Sequence, residues 1–372
     1  MAIEVPGTAT TETSPFAVPF WPHFLGGLVH RHPLFWRWLG RLETNSVQQR
    51  LREIPVSMPI YVCGLARSGS TLLHDVVASH SSVATHRIKD YPLVFTPYWW
   101  RRATANLPPA VPRERVHRDG VLITPASPDA LEEMIWMAFF PRCHQPAECN
   151  VLGRGDAHPA FDSFYEAHLR KLLLAEGKTR YAAKANYHVA RLAYLVRLFP
   201  DTKLIIPVRE PVDHIASLVR QHEWFSRGER SCPRSLALMK RSGHFEFGLD
   251  RRPINLGDCK RVRQIGDAWA SGEETRGLAM YWSMIYGYLA GLLASDEQVR
   301  SAALVVRFEA ICNSPLDTFD RLFEHCHLSD AESISRRRAA GVRKPVYPSR
   351  LSSGDLAVIR QETAATASQW GY

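Results

Sequence analysis

Hydrophobic and polar positions along this chain alternate between two rhythms. Short, mostly apolar runs stand at 60–63, 181–184, 203–208 and 303–308, with a more mixed one at 83–88. Runs of that length between turn residues predict buried strands. Between them the apolar positions recur at helical spacing, predicting helices over 70–79, 129–140, 161–175 and 188–199, with two more beginning at Pro211 and Pro315. Proline suits a first helical position because its missing N–H has no intrahelical role there and its φ is already helical. Residues 1–57 read as a helical leader packed on the domain, and 58–372 as one domain with helical insertions around 92–178 and 226–300. Pro108, Pro109 and Pro112 mark a loop, and 341–350 a basic tail loop. Short strands alternating with helices predict an α/β fold with a central parallel sheet flanked by helices in three layers.

In such sheets a ligand binds beyond the carboxyl ends of the strands. After the first predicted strand come Arg67, Ser68, Gly69, Ser70 and Thr71; after the second, Asp90; after the third, Lys184; after the fourth, Arg209. Three cations and one carboxylate are therefore expected on one edge, a site for a multiply charged anion with a proton acceptor beside it.

The first strand-to-helix turn carries the most specific signal. Gly64-Leu-Ala-Arg67-Ser68-Gly69-Ser70-Thr71 resembles the nucleotide-binding pattern Gly-x-x-x-x-Gly-Lys-[Ser/Thr], with both glycines correctly spaced. Successive backbone N–H groups and a helix N-terminus in that layout cradle a phosphate, which makes the expected fold P-loop-like. Ser70 replaces the lysine, and the cation is Arg67. A P-loop nucleotide kinase-like phosphotransferase remains the alternative. It needs that lysine and a strand-terminal acid for magnesium, and the run at 203–208 ends in Arg209 instead.

Composition narrows the rest. A formal charge of +9 and a pI near 9.3 over 372 residues suit an anionic ligand or partner. Nucleic acid is disfavoured, since no zinc-finger spacing, RNP-like aromatic motif or compact basic helix is present. Seven scattered cysteines, at 63, 143, 149, 232, 259, 312 and 326, read as reduced thiols. Cys143, His144 and Cys149 form three potential ligands without a second pair, so no metal is expected. Residues 1–15 do not form a secretory signal, and a cytoplasmic location is expected. The aromatic, basic stretch 21–42 contains Arg31, Pro33 and Arg37, which forbid a spanning helix. It is expected to pack on the domain, with a membrane surface as the alternative. The uncharged stretch 277–295 nears spanning length but reads as a buried core helix.

Two blocks together resemble the sulfotransferases that use 3′-phosphoadenosine 5′-phosphosulfate (PAPS). Gly64 to Leu73 is similar to that family's 5′-phosphosulfate loop. Lys203-Leu-Ile-Ile-Pro-Val-Arg209-Glu210-Pro211-Val-Asp-His-Ile-Ala-Ser217 is similar to its 3′-phosphate block. Lys184, upstream of Phe199-Pro200-Asp201, stands much as in the branch that includes the tyrosylprotein sulfotransferases. The resemblance spans roughly 59–330 and implies transfer of a sulfuryl group from PAPS to an acceptor hydroxyl, or an amine, leaving adenosine 3′,5′-bisphosphate and needing no metal. It implies that Arg67, with Ser68, Gly69, Ser70, Thr71 and Leu72, holds the 5′-phosphosulfate. Lys184 steadies the sulfuryl oxygens, and Arg209 and Ser217 take the 3′-phosphate. Arg343 and Lys344 close over the same phosphate or the adenine. An ion pair between Arg209 and Glu210 is the structural alternative for Arg209.

A base is expected for the acceptor proton. Asp90 is the candidate, with His86 and Asp213 as rivals and a helix cap as its structural alternative. Two stretches fall outside the resemblance. His244 to Arg252 either lines an acceptor site or forms a loop of local ion pairs, and Trp99-Trp100-Arg101-Arg102 either stacks on an acceptor or packs in the core. Carbohydrate, lipid and small metabolites remain open as acceptors, as does oligomeric state.

Overall fold

The structure is a computed structural model and describes residues 14–106, 108, 110–343 and 351–372. Its strands are β1 (Ile60–Val62), β2 (Val83–Ala84), β3 (Arg113–Glu114), β4 (Leu122–Ile123), β5 (Arg180–Lys184), β6 (Lys203–Val208) and β7 (Ala303–Arg307). Five of them form one sheet in the order β2-β5-β1-β6-β7, every neighbouring pair parallel. The strand order reverses around β1, so the loop after β1 lies in the crevice where a doubly wound sheet takes its ligand.

Period-two alternation along the strands builds the layers. Tyr61, Cys63, Ala183, Leu204 and Ile206 face one core with Trp282, Ile285 and Tyr286. Ile60, Val62, Ala182, Ile205 and Val306 face the other, against Leu73, Val76 and Val77 of the helix Ser70–Ala78 and Phe319, Leu322 and Phe323 of Pro315–His325. Each such side chain contributes roughly 1.5–3 kcal/mol on burial. Below β1 a buried carboxylate organises three aromatic donors: Glu132 accepts from Trp136 Nε1 at 2.7 Å, Tyr165 OH at 2.6 Å and Tyr181 OH at 2.7 Å.

The helix Glu274–Ser295 is long and apolar enough to cross a membrane by length and composition. Its Trp282, Ile285, Tyr286 and Leu289 are fully buried in the sheet's core, and Tyr286 OH donates to Pro207 O at 3.1 Å. The stretch 1–57 supplies, within its described part, helices α1 (Phe20–Arg31) and α2 (Pro33–Ser46) and a short turn Gln48–Leu51.

Two expectations differ from what is found, and one element was not expected. The second strand ends at Ala84, because Asp90 Oδ2 accepts from the Arg87 N–H at 2.8 Å and curls the chain into a 3₁₀ turn, Ile88–Asp90. The helix expected over 188–199 is a 3₁₀ turn, Asn186–Ala190, followed by Leu192–Leu198. The chain also closes on a helix, Ser353–Gln369, that periodicity did not announce. It begins with a capping box of Ser352 and Asp355. Just beyond it, Tyr372 OH donates to Glu309 Oε2 at 2.6 Å and lies 3.4 Å from Val208 O, at the carboxyl end of β6.

Candidate active site

The turn between β1 and Ser70–Ala78 holds two residues in left-handed backbone, Arg67 at φ 69° and Gly69 at φ 97°. Gly69 is forced there by geometry, since a Cβ at this position would stand 2.8 Å from the Phe308 ring. It is the N-cap, and no side chain caps the helix. The first amides of a helix have no intrahelical acceptor, so those of Ser70, Thr71 and Leu72 open with the helix dipole toward an anion. Ser68 is fully buried and donates its hydroxyl to Leu65 O at 2.6 Å, which shapes the turn.

The two strand ends meet across this turn. Arg209 NH1 donates to the Arg67 carbonyl at 3.2 Å, and Arg67 Nε donates to Ser217 Oγ at 3.2 Å. Arg209 is buried, its guanidinium lies 4.4 Å above the Phe308 ring, and its Nε has no hydrogen-bond partner among the described residues. Burial lowers its pKa, with Asp213 partly opposing and the Arg67 charge adding to the fall. A buried guanidinium with an unused donor is costly without an anion. Glu210 does not neutralise it by the alternative ion pair, because the Glu210 carboxylate accepts from the Asp213 N–H at 2.8 Å and caps Pro211–Ser231. Asp213 sits in the first turn of that helix.

On the other side Lys184, at the end of β5, donates to Thr71 Oγ1 at 3.4 Å. Burial lowers its pKa, with Glu246 pulling the other way. The five cradle residues, Lys184, Arg209 and Ser217 therefore surround one turn. Arg343 stands apart from these contacts: its guanidinium donates to Ala340 O and Val342 O at its own helix end. Lys344 lies outside the described residues.

Asp90 requires a correction. Its carboxylate is fully buried and accepts from Arg101 NH2 at 2.5 Å, from Arg101 Nε at 3.2 Å and from the Arg87 amide. Burial by itself would raise its pKa, yet His86 and Arg101 outweigh burial and hold it well below the usual carboxylate range. A carboxylate so deeply committed is a poor proton acceptor near neutral pH. The cause is the early end of β2, which turns Asp90 down into the protein. Its rival His86 is also buried, with Nε2 3.1 Å from His168 Nε2 and Nδ1 3.6 Å from Asp90 Oδ2.

The stretch after His244 supplies a different acid–base pair. Glu246 Oε1 accepts from Asn186 Nδ2 at 2.5 Å and lies 3.5 Å from His244 Nδ1. Burial would lower the His244 pKa, but the Glu246 charge and hydrogen bond prevail and raise it. Burial would raise that of Glu246, yet His244 and Lys184 bring it below the ordinary value. Glu246 lines a pocket with Leu65 and Ala66 of the cradle turn and with Tyr187, Trp269 and Tyr281. Trp100 Nε1 donates to Lys89 O and Arg101 holds Asp90, so the Trp99–Arg102 stretch serves packing at those two positions.

Sequence reasoning missed the hairpin β3–β4. Its turn brings Asp119 Oδ2 to 2.8 Å from Arg67 NH1 and 2.5 Å from Arg115 NH2, while the His117 ring packs 5.0 Å from that of Phe225. The signal was present as Asp119-Gly120, a hairpin dipeptide, with Gly120 at φ 76°. Glu133, Cys143 and His144 also come together with burial. Both Glu133 oxygens are occupied by Arg191, at 2.7 and 2.9 Å, and one of them also by His144 at 2.8 Å, so the cluster is an ion-paired core feature.

Residues 59–242 match the model of a family described as the sulfotransferase family. No curated protein matches the chain in sequence. Among solved structures, sulfotransferase STF1 from Mycobacterium tuberculosis H37Rv aligns over 92% of this chain and 86% of its own, at 15% identity and a TM-score of 0.50. Sulfotransferase STF9 from Mycobacterium avium aligns over 87% of this chain and 81% of its own, at 15% identity and a TM-score of 0.47. The likeness to STF1 is one of fold.

Proposed function

We propose, from the premise that this chain belongs to the sulfotransferase family, that it moves a sulfuryl group from PAPS to an acceptor hydroxyl. The observation that carries the reading is the Arg209–Arg67–Ser217 contact at the uncapped start of Ser70–Ala78, with Lys184 beside Thr71. The residues fit such a donor: two arginines, one carrying an unused buried N–H, a serine hydroxyl and a helix N-terminus suit two separate phosphoryl groups. PAPS supplies the sulfuryl group and a 3′-phosphate by which to be held.

Arg67 and the amides of Ser70 to Leu72 bind and orient the 5′-phosphate, where charge builds as the bridging bond breaks. Donors fixed beforehand at a developing oxyanion are worth roughly 3–4 kcal/mol each. Lys184, held beside Thr71 at the end of β5, faces the transferring oxygens, whose growing charge favours its ammonium form. Arg209 and Ser217 take the 3′-phosphate. His244, oriented by Glu246, receives the acceptor proton, because Glu246 lines the pocket with Leu65 and Ala66 of the cradle turn and both groups answer to the Lys184 charge. None of the seven cysteines is joined in a disulfide, which suits a cytoplasmic location.

The test is transfer of labelled sulfate from PAPS across a panel of hydroxyl acceptors, without added metal. Wild-type protein should label at least one acceptor, and Arg67→Ala should lose nearly all of that rate. No transfer, together with no calorimetric uptake of adenosine 3′,5′-bisphosphate, overturns the reading.

A further inference from the structure

Eight of the fourteen large hydrophobic side chains exposed among the described residues fall between Phe20 and Leu42. On α1 they are Phe20, Trp21, Phe24 and Leu25; on α2 they are Leu34, Phe35, Trp38 and Leu42. Within each helix they recur at i, i+1 and i+4, which is one continuous face. The opposite faces are seated on the domain through glycine. A Cβ on Gly26 would strike the Tyr91 side chain, and one on Gly40 would stand 2.8 Å from the Phe164 ring and from Phe95 O. Amphipathicity is thus reversed: the close-packed side is small and the solvent side is large and apolar, with Trp21 at 66%, Leu34 at 72% and Trp38 at 55% exposure. The rings contact one another, Phe20 stacking on Phe24 at 5.9 Å and Phe35 tilting on Trp38 at 5.7 Å. An apolar face of that size on a water-soluble surface marks an interaction site.

Its rim decides the partner. No Asp or Glu occurs from Ser14 to Leu42, whereas His30, Arg31, His32 and Arg41 are exposed there. The adjoining helix Pro233–Ser242 likewise has no acid and adds Arg234, whose guanidinium lies 5.9 Å over the Phe20 ring, and Lys240. Arg31, Arg41 and Arg234 have no ion-pair partner among the described residues. A second copy of the chain would set this face against itself, cation to cation, with no exposed acid of these three helices to compensate, since Glu43 of α2 is buried against Lys171. A surface of anionic headgroups over hydrocarbon matches both halves of the pattern. Aromatic rings sit at the headgroup boundary and arginines meet the phosphates.

We infer that α1 and α2 form a docking face by which the protein binds, without crossing, an anionic lipid bilayer. The aromatic face enters the boundary region and the Arg31, Arg41 and Arg234 rim provides the charge preference. The domain stays in water, with its cradle free to bind the donor.

The experiment is co-sedimentation of the full chain with vesicles of phosphatidylcholine alone or mixed with phosphatidylglycerol. The protein should pellet with the mixed vesicles and far less with the neutral ones, and its tryptophan emission should shift to the blue. Arg31→Ala with Arg41→Ala should weaken binding about fivefold per cation removed. Trp21→Glu with Trp38→Glu should abolish pelleting while leaving calorimetric uptake of adenosine 3′,5′-bisphosphate intact, which shows that the variant is folded. Equal pelleting with both vesicle types, or none, overturns the proposal. So does sedimentation equilibrium showing a dimer that the tryptophan substitutions dissociate. Loss of nucleotide uptake in wild-type protein would strike the sulfotransferase reading and leave the docking result standing.

Discussion

Arg209 NH1 rests 3.2 Å from the backbone carbonyl of Arg67. The two residues are far apart in sequence, at the carboxyl ends of β1 and β6, and these strands are hydrogen-bonded neighbours. The contact therefore fixes the spacing between the two cationic halves of the candidate site, and several outcomes depend on it.

Arg209→Ala should weaken binding of adenosine 3′,5′-bisphosphate by about 10- to 100-fold, since a hydrogen bond to a charged group is worth roughly 1.5–3 kcal/mol. Binding of adenosine 5′-phosphate, which lacks the outer phosphate, should change little. Titration calorimetry with the two nucleotides measures the difference.

Asp90→Asn and His244→Asn should separate stability from chemistry. Asp90 is one half of a buried ion pair with Arg101, and breaking such a pair costs roughly 3–5 kcal/mol. Its variant should unfold at a markedly lower temperature, yet turn over near the wild-type rate where it is folded. His244→Asn should keep its melting temperature within a few degrees and lose about 10²- to 10⁴-fold in kcat. Thermal unfolding and initial rates on the same samples decide between the two assignments.

Asp119→Asn should tighten nucleotide binding. Without donor, the Asp119 carboxylate engages both Arg67 and Arg115 and is held well below the usual carboxylate range: burial opposes this, but the two arginines outweigh it. An arriving phosphate must displace it from Arg67. Removing its charge should lower the Kd by about three- to tenfold, given roughly 0.5–1.5 kcal/mol for a partly exposed hydrogen bond, and should reduce the salt dependence of binding.

Acid should destabilise the cradle first. Burial lowers the pKa of His214 from 6.5 to about 3, against a partly opposing hydrogen bond to Ala66 O at 2.8 Å. Trp282 Nε1 faces its other ring nitrogen at 3.2 Å, so the folded protein holds the neutral ring. His74, bonded to Thr85 Oγ1, is likewise lowered to about 3 by burial. Between pH 6.5 and 3 the unfolded chain binds these protons and the folded chain does not, so stability is full above 6.5 and falls as pH falls. Asp75, raised by burial to about 6, has the opposite sign between 3.8 and 6, as do Glu43 and Glu229, also raised by burial, but buried histidines with lowered pKa, such as His117, His168 and His222, add to the loss. Denaturant titrations at pH 7.5 and 5 should show the loss, and His214→Gln should flatten the slope.

Much of the sheet was legible beforehand because β1, β5, β6 and β7 are apolar runs with clear ends, and strand ends in a parallel sheet converge whatever their sequence separation. The order Arg67, Lys184, Arg209 could thus be placed on one edge from pattern alone. Asp90 could not. Whether its strand ran on to residue 88 or stopped at Ala84 turned on one capping bond to the Arg87 amide and on Arg101, a helix away. Neither is visible in local periodicity.

What the linear order of residues determined by itself is the strand–turn–helix cradle, the cationic strand ends and the division of apolar residues between two core faces. These follow from local backbone geometry and from periods of 2 and 3.6 residues. Only the tertiary structure decided which carboxylate is locked away and which borders the cradle, that Asp119 folds back onto Arg67, and that the aromatic face of α1 and α2 points outward. Each of those depends on contacts between segments distant in sequence. Their energies come from burial and from charge pairing at a few ångströms, and no local pattern encodes either one.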